Sequence, residues 1–291
     1  MLEYQKTPKT ARPFACRFSL IFAYMWYWVK LLFLIFVGAV LCWLVYELAT
    51  FPGISRLKTE NPTTTSLIEY RKSEAVAEGR EPKQYMIWMP MEQISPNLAR
   101  AVLAGEDSRF FGHNGFDWEA IQKAWDEAVK EGEKEAREDC EEEAKANKTP
   151  LKDCKPSDDD WIPPLPSFKR GASTITQQLA KNLYLSEERN FLRKGREAVY
   201  TYFLERNLSK KRILEIYLNV IEWGDGVYGA EAASRTYFKK SASNLTQSEA
   251  AYLAAMIPSP LNVFNPQKNP KRLARRQRVL LKYMNGIKLA Y

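Results

Sequence analysis

The sequence predicts a mainly α protein with one N-terminal transmembrane helix. Three observations predict it. A long apolar and aromatic stretch runs from Phe18 to Phe51, and only Lys30 and Glu47 interrupt it with charge. Residues 119–148 are rich in Glu, Lys and Ala, all strong helix formers. From residue 171 to Tyr291 the chain reads as almost wholly helical, and its clearest core residues recur at helical spacing.

The elements follow in order. Residues 29–48, as a helix, span about 30 Å, the thickness of a bilayer core. Lys30 and Glu47 then sit near opposite ends, where long side chains reach the interface. Tyr24, Trp26, Tyr27 and Trp28 suit one interfacial belt, and Trp43 and Tyr46 approach the other. Lys6, Lys9, Arg12 and Arg17 precede the stretch, so residues 1–28 are expected in the cytoplasm. No small-x-small cleavage site follows, which favours an uncleaved anchor over a removed signal peptide. A buried core helix is the weaker alternative.

Residues 49–85 read as a juxtamembrane linker, with some helix near Leu67–Ala77. A globular domain is expected over 86–291. Ile94, Leu98, Ala101 and Val102 predict a helix over 94–105, with Ser95-Pro96 as cap and first turn. The 119–148 helix runs into a proline-broken stretch from Pro150 to Pro166, expected to be a solvated excursion. Together these form an acidic insert at about 126–166.

Charge is unevenly spread. The chain carries +8, yet residues 126–160 hold 14 acidic and 7 basic side chains, a net of −7 that leaves +15 on the rest. A basic body favours polyanions: nucleic acid, anionic lipid or pyrophosphate. Charge alone does not choose among them. Of four cysteines, Cys16 and Cys42 read as small hydrophobes. Cys140 and Cys154 could close a disulfide in an oxidising compartment or stay two thiols. With no Cys-x-x-Cys pair and one histidine, a zinc site is not expected.

Two polar runs stand out. One is Glu106-Asp-Ser-Arg-Phe-Phe-Gly-His-Asn-Gly-Phe-Asp117; the other is Gly171-Ala-Ser-Thr-Ile-Thr-Gln-Gln-Leu-Ala-Lys-Asn182. Carboxylates, amides, hydroxyls and an imidazole are costly to bury without partners, so such runs suggest a built site. Glu106 is the candidate general base; Asp107 and burial would raise its pKa, while Arg109 and His113 would oppose that. Thr174, Thr176, Gln177 and Gln178 offer hydrogen bonds to sugar hydroxyls or phosphate oxygens, and Lys181 adds a charge on the face of Gln178. A third run, Arg193-Lys-Gly-Arg-Glu197, sets Arg193 four residues from Glu197, with Arg189 and Lys194 nearby. Taken alone this reads as a surface ion pair. In Ser209–Asn219, Ser209 looks like a cap, and Ile213, Leu214 and Tyr217 look like core.

Gly224-Asp-Gly-Val-Tyr-Gly229 matches Gly-x-Gly-x-x-Gly by letters. No preceding strand or alternating strands and helices support a dinucleotide fold, so a glycine turn that lets backbone approach a ligand or helix is expected. Leu245–Met256 reads as a capped helix with a core face, and Lys268–Arg278 as a basic helix suited to phosphate or a membrane surface.

These five regions, in this order and rough spacing over about 86–285, resemble the peptidoglycan glycosyltransferases. The resemblance implies a two-lobed, lysozyme-like glycosyltransferase domain whose membrane-proximal lobe takes a lipid-linked substrate. It implies that Glu106 is the base that activates the 4-hydroxyl of lipid II, with Glu197 the second carboxylate on the donor side. By the same matching, Asp107, Phe110, His113, Ser173, Thr174, Gln177, Gln178, Lys181, Asn182, Arg189, Arg193 and Lys194 are expected to bind substrate. The growing strand is the donor, and transfer inverts the anomeric centre and releases undecaprenyl diphosphate. No organic cofactor and no nucleic acid are implied. A divalent metal, Mg or Mn, near the pyrophosphate is implied, although no metal-ligand spacing in the sequence shows one. Wall-synthesis or division proteins are implied partners, and the implied location is the inner membrane, single-pass, with the domain outside the cytoplasm. The acidic insert departs from the family, whose corresponding segment is shorter. No transpeptidase domain is recognised: Ser55-Arg-Leu-Lys58 matches Ser-x-x-Lys by letters but lacks a Lys-Thr-Gly partner, so a monofunctional protein is expected. A lytic enzyme of similar fold and a non-catalytic scaffold are the alternatives; Glu197 with its cations argues against cutting.

Overall fold

The computed structural model describes residues 15–147, 173–185 and 191–291. Met1–Gly53 and Ile54–Tyr291 are two compact units. The first holds helix α1, Ala15–Ala49, whose window Tyr24–Glu47 has a mean hydropathy of 2.5. It is apolar all round, and its described large side chains face outward, as a helix in lipid requires.

The second unit is mostly helical. Its helices are α2 (Ser66–Ala77), α3 (Pro96–Glu106), α4 (Trp118–Asn147), α5 (Ile175–Tyr184), α6 (Phe191–Asn207), α7 (Lys210–Val220), α8 (Ala230–Phe238), α9 (Gln247–Met256) and α10 (Pro270–Tyr283). Helix α3 packs on α9 and α10, while α5 packs on α2, α6 and α7. Leu98, Ala99, Ala101 and Val102 of α3 and Leu253, Ala254 and Ala255 of α9 are fully buried. Small residues on facing helices let the backbones approach closely, which sets where the end of α3 lies against α10.

Local chemistry starts these helices where the sequence allows. Thr246 and Glu249 form a capping box at α9, and the Arg212 N–H donates to Ser209 Oγ at 3.2 Å at α7. Pro96 opens α3 as expected, but Ser95 does not cap it; its hydroxyl donates to Leu245 O at 3.0 Å instead. That bond ties the start of α3 to the start of α9.

One expectation changes. The segment read as a linker over 49–85 is folded into the second unit from Ile54 onward, and the helix expected near Leu67–Ala77 is α2. Ile54, Leu57, Leu67, Ile68 and Ala75 are buried, and α2 packs on α5. The polar letters that suggested a tether are the outer face of α2 and its turns. The described residues after 171 are mostly helical, as expected, apart from one short hairpin. A small sheet, order β1-β3-β2, joins Tyr85–Met86 (β1), Glu222–Gly224 (β2) and Val227–Tyr228 (β3), with β1 parallel and β2 antiparallel to β3. The glycine run is the hairpin turn of this sheet. Gly226 has φ +70°, and a Cβ there would lie 2.3 Å from Lys83 Cβ; at Gly229, φ +84°, a Cβ would lie 2.5 Å from Asn219 O. The run therefore serves backbone approach to strand and helix, as the absence of a dinucleotide pattern suggested.

Helix α4 matches the expected charged helix to within a residue at each end. The Pro150–Pro166 stretch and Cys154 lie outside the described residues, as do residues 1–14 and Arg189.

Candidate active site

Glu106 is the last residue of α3. Gly105 before it admits α10: a Cβ there would lie 3.1 Å from Leu280 Cδ2 and 3.5 Å from Arg276 Nη2. Arg276 uses that approach. Its Nη2 donates to Gly105 O at 3.1 Å and to Glu106 Oε1 at 2.9 Å. The other carboxylate oxygen accepts from Gln178 Nε2 at 3.1 Å. The same amide nitrogen lies 3.3 Å from Ser173 O, and Gln178 Oε1 accepts from the Tyr217 hydroxyl at 2.8 Å. Burial pushes the Glu106 carboxyl up from its ordinary value, against Arg276 and Gln178, which favour the anion. Asp107 adds to the rise. The result is a proton acceptor poised above an ordinary surface carboxylate.

The residues after Glu106 hold it in place. Asp107 Oδ2 accepts from the Ile175 N–H at 3.0 Å, and its Oδ1 lies 3.0 Å from His113 Nε2. Thr174 forms a capping box with Gln177 and donates to Gly115 O at 2.7 Å. Asp117 caps α4 through the Ala120 N–H at 2.9 Å and pairs with the Arg109 guanidinium, which holds its pKa down. Gly115, at φ +89°, lies so close to Thr201 that a Cβ would meet Cγ2 at 2.7 Å. Both polar runs are thus knotted to each other and to α6 by their own side chains.

Glu197 sits midway along α6 and is 3% exposed. Arg193 Nη1 lies 3.2 Å from its Oε2, and Lys194 Nζ pairs with Oε1. Its backbone carbonyl accepts from Thr201 Oγ1 at 2.7 Å.

Glu106 and Glu197 line one open cleft of about 1430 Å³. Ser173, Gln177, Gln178, Lys181 and Asn182 line it too, as do Arg71, Lys271, Arg272, Arg275 and Arg276. A recess of about 210 Å³ beside Glu106 is lined by Asp107, Ser173 and Thr174, among others. Not every expected binding residue faces the cleft. Phe110 is buried under Lys210, whose Nζ lies 4.4 Å from the ring centre, and the His113 side chain, 7% exposed, lies against Asp107. Arg193 and Lys194 do not line it but flank Glu197. None of these four lines the cleft in this structure.

The site also contains residues that no motif in the sequence marks. Arg276 is the main one. Leu273, Arg276 and Leu280 lie on one face of α10, and both leucines are buried. An arginine on an apolar stripe at that spacing was the available signal. Arg71 comes from the expected linker and pairs with Glu222 at 3.0 Å on the cleft wall. Tyr217 is fully buried as expected, yet its hydroxyl reaches the site.

The implied divalent metal can be tested on its donors. Asp107, His113 and Asp117 bring one ligand atom each within 4.8 Å of one another. Their oxygens are already engaged by the Ile175 and Ala120 N–H groups and by Arg109. A cation there would face a guanidinium, so this set does not fit a metal.

A helical domain with two buried carboxylates on a cation-lined cleft has the makings of a glycosyl-transferring enzyme for an anionic substrate. The chain belongs to the transglycosylase family, whose model matches residues 72–136 and 165–285. The match starts inside α2, earlier than the 86 expected, and its gap at 137–164 falls within the expected insert. Similar proteins include the biosynthetic peptidoglycan transglycosylase of Thiobacillus denitrificans, 43% identical over 86% of this chain and 93% of its own length. That of Janthinobacterium sp. (strain Marseille) is 39% identical over 89% and 97%, and that of Acinetobacter baumannii 36% over 88% and 95%.

Proposed function

We propose that this chain is a monofunctional, membrane-anchored polymerase of peptidoglycan glycan strands. The observation that carries the proposal is the placing of Glu106 and Glu197 on one cleft with a cationic wall. Family membership and the relatives' names support it.

In this reading Glu106 takes the proton from the 4-hydroxyl of lipid II. The freed oxygen attacks the anomeric carbon of the lipid-linked strand from the face opposite the diphosphate. The carbon–oxygen bond to phosphate breaks, the electron pair leaves with undecaprenyl diphosphate, and the centre inverts. Arg276 and Gln178 keep Glu106 ionised enough to accept the proton. Lys181 and the arginines of α10 bind the anionic diphosphates, where preorganised cations in a partly closed cleft stabilise departing charge. Glu197, flanked by Arg193 and Lys194, orders the donor side, and Arg189 is assigned there as well. Ser173, Gln177 and Asn182 offer hydrogen bonds to the sugars.

Helix α1 is the anchor, and the basic residues before it set the N-terminus in the cytoplasm and the domain on the outer face of the inner membrane. The two-lobed, lysozyme-like arrangement belongs to the same proposal. So does a meeting of the acidic insert with other wall-building or division proteins.

Labelled lipid II supplied to the full chain tests the proposal. Long glycan from the wild type and none from Glu106→Gln is the expected result. Equal polymer from both would remove Glu106 as the base. No polymer from the folded wild type, or cutting of preformed glycan instead, would overturn the polymerase itself.

A further inference from the structure

We propose that Tyr217 is a positioning residue: its hydroxyl fixes the Gln178 side chain so that the amide N–H₂, and not the amide oxygen, faces the Glu106 carboxylate. This deepens the reading of Glu106 as the base and rests on it.

The geometry is a three-group relay from three helices. Tyr217 of α7 donates to Gln178 Oε1 at 2.8 Å, and Gln178 Nε2 of α5 donates to Glu106 Oε2 at 3.1 Å at the end of α3. A glutamine amide carries an acceptor at one end and donors at the other, so the group bound at one end decides what the other end presents. Two contacts agree on the orientation here. Ser173 O, which can only accept, lies 3.3 Å from Nε2, and the phenol hydroxyl meets Oε1.

The phenol keeps its capacity to donate. Tyr217 is fully buried, and burial beside Glu106 and Asp107 holds its pKa well above the ordinary value, so it keeps its proton. Its oxygen already donates that proton to Gln178. An amide N–H aimed at a carboxylate favours the ionised form, and an amide oxygen aimed there would favour the protonated one. The charged and titratable groups facing Glu106 are Arg276 from α10, Asp107 next in the chain and Tyr217 from α7. Gln178 is the neutral member, and its orientation is held by the phenol hydroxyl on its oxygen and by Ser173 O on its nitrogen.

Tyr217→Phe removes the hydroxyl and keeps the ring. The acid limb of the pH–kcat profile for lipid II polymerisation is expected to move up by about half to one pH unit. Below the limb this reads as a roughly 3- to 10-fold loss that recovers at higher pH. The full-length variant in the Gln178→Leu background should add no further shift, since the relay is already cut. A uniform loss at all pH values, an unchanged profile, or an equal shift in the Gln178→Leu background would overturn the inference. Glu106→Gln run in parallel separates it from the underlying reading: if that variant keeps the wild-type limb, the base assignment fails and not merely the relay. Should Tyr217→Phe not fold, 3,5-difluorotyrosine placed at 217, a stronger donor, should move the limb down, and no movement would overturn the relay.

Discussion

Glu106 and Glu197 line the same cleft, but they are held in opposite ways. Glu197 is held by its own helix: Arg193 and Lys194 lie four and three residues before it on α6. Glu106 is held by residues from far along the chain, Gln178 on α5 and Arg276 on α10. The first is a local charge cluster that travels with one helix. The second exists only when α3, α5, α7 and α10 are packed together. A carboxylate whose ionisation depends on tertiary contacts can be tuned by them. The division sets a base assembled by the packed fold beside a carboxylate whose partners come from its own helix.

The largest effect expected on this contrast is from Glu106→Gln. Loss of a general base lowers the rate by about 10²- to 10⁴-fold, and circular dichroism should show the helical fold retained. Glu197→Gln comes next. It leaves Arg193 and Lys194 without their anion, and kcat/KM on lipid II should fall by at least about tenfold, the cost of one misplaced charge-assisted contact. If Glu197 serves only to neutralise its helix, the loss would be absent.

Arg276→Ala sharpens the comparison through pH. Arg276 holds the Glu106 pKa down against burial, so its removal raises that pKa further. The ionised base then appears only at higher pH, and the acid limb of kcat moves upward. Arg193→Ala should not move that limb, because Arg193 pairs with Glu197. Gly115→Ala has a smaller effect, on stability. Its φ of +89° and the 2.7 Å approach to Thr201 predict a loss of about 1–3 kcal/mol, read by thermal or urea unfolding. Smallest is Glu138→Ala on α4. Its pair with Lys134, 3.4 Å apart and largely exposed, should contribute under about 0.5 kcal/mol.

The same contrast explains what was legible in the sequence. Arg193 and Glu197 could be paired from their spacing alone, since residues four apart share a helix face. The polar runs around Glu106 and Ser173 were visible because polar residues need partners when buried. Helix positions followed from apolar spacing and caps, as at Ser209 and Thr246. Arg276 was not paired with Glu106, because 170 residues separate them and no local pattern reports a tertiary contact. Apolar spacing predicts Tyr217 as core, which fits its ring and says nothing of its hydroxyl. The polar letters and the Pro-Gly, Asn-Pro and Thr runs within 49–85 predict a linker with some helix near Leu67–Ala77; the helix is present as α2, and burial against α5 makes the segment part of the domain. The short strands were missed since two or three residues carry no alternation to detect.

The most direct test is the pH dependence of lipid II polymerisation by the wild type beside Glu106→Gln. A buried base predicts a wild-type acid limb above the range of an ordinary exposed glutamate, about 4.3, and a residual rate in the variant that lacks this limb. A variant that polymerises at the wild-type rate, or shows the same limb, would contradict the assignment of Glu106 as the group that takes the proton.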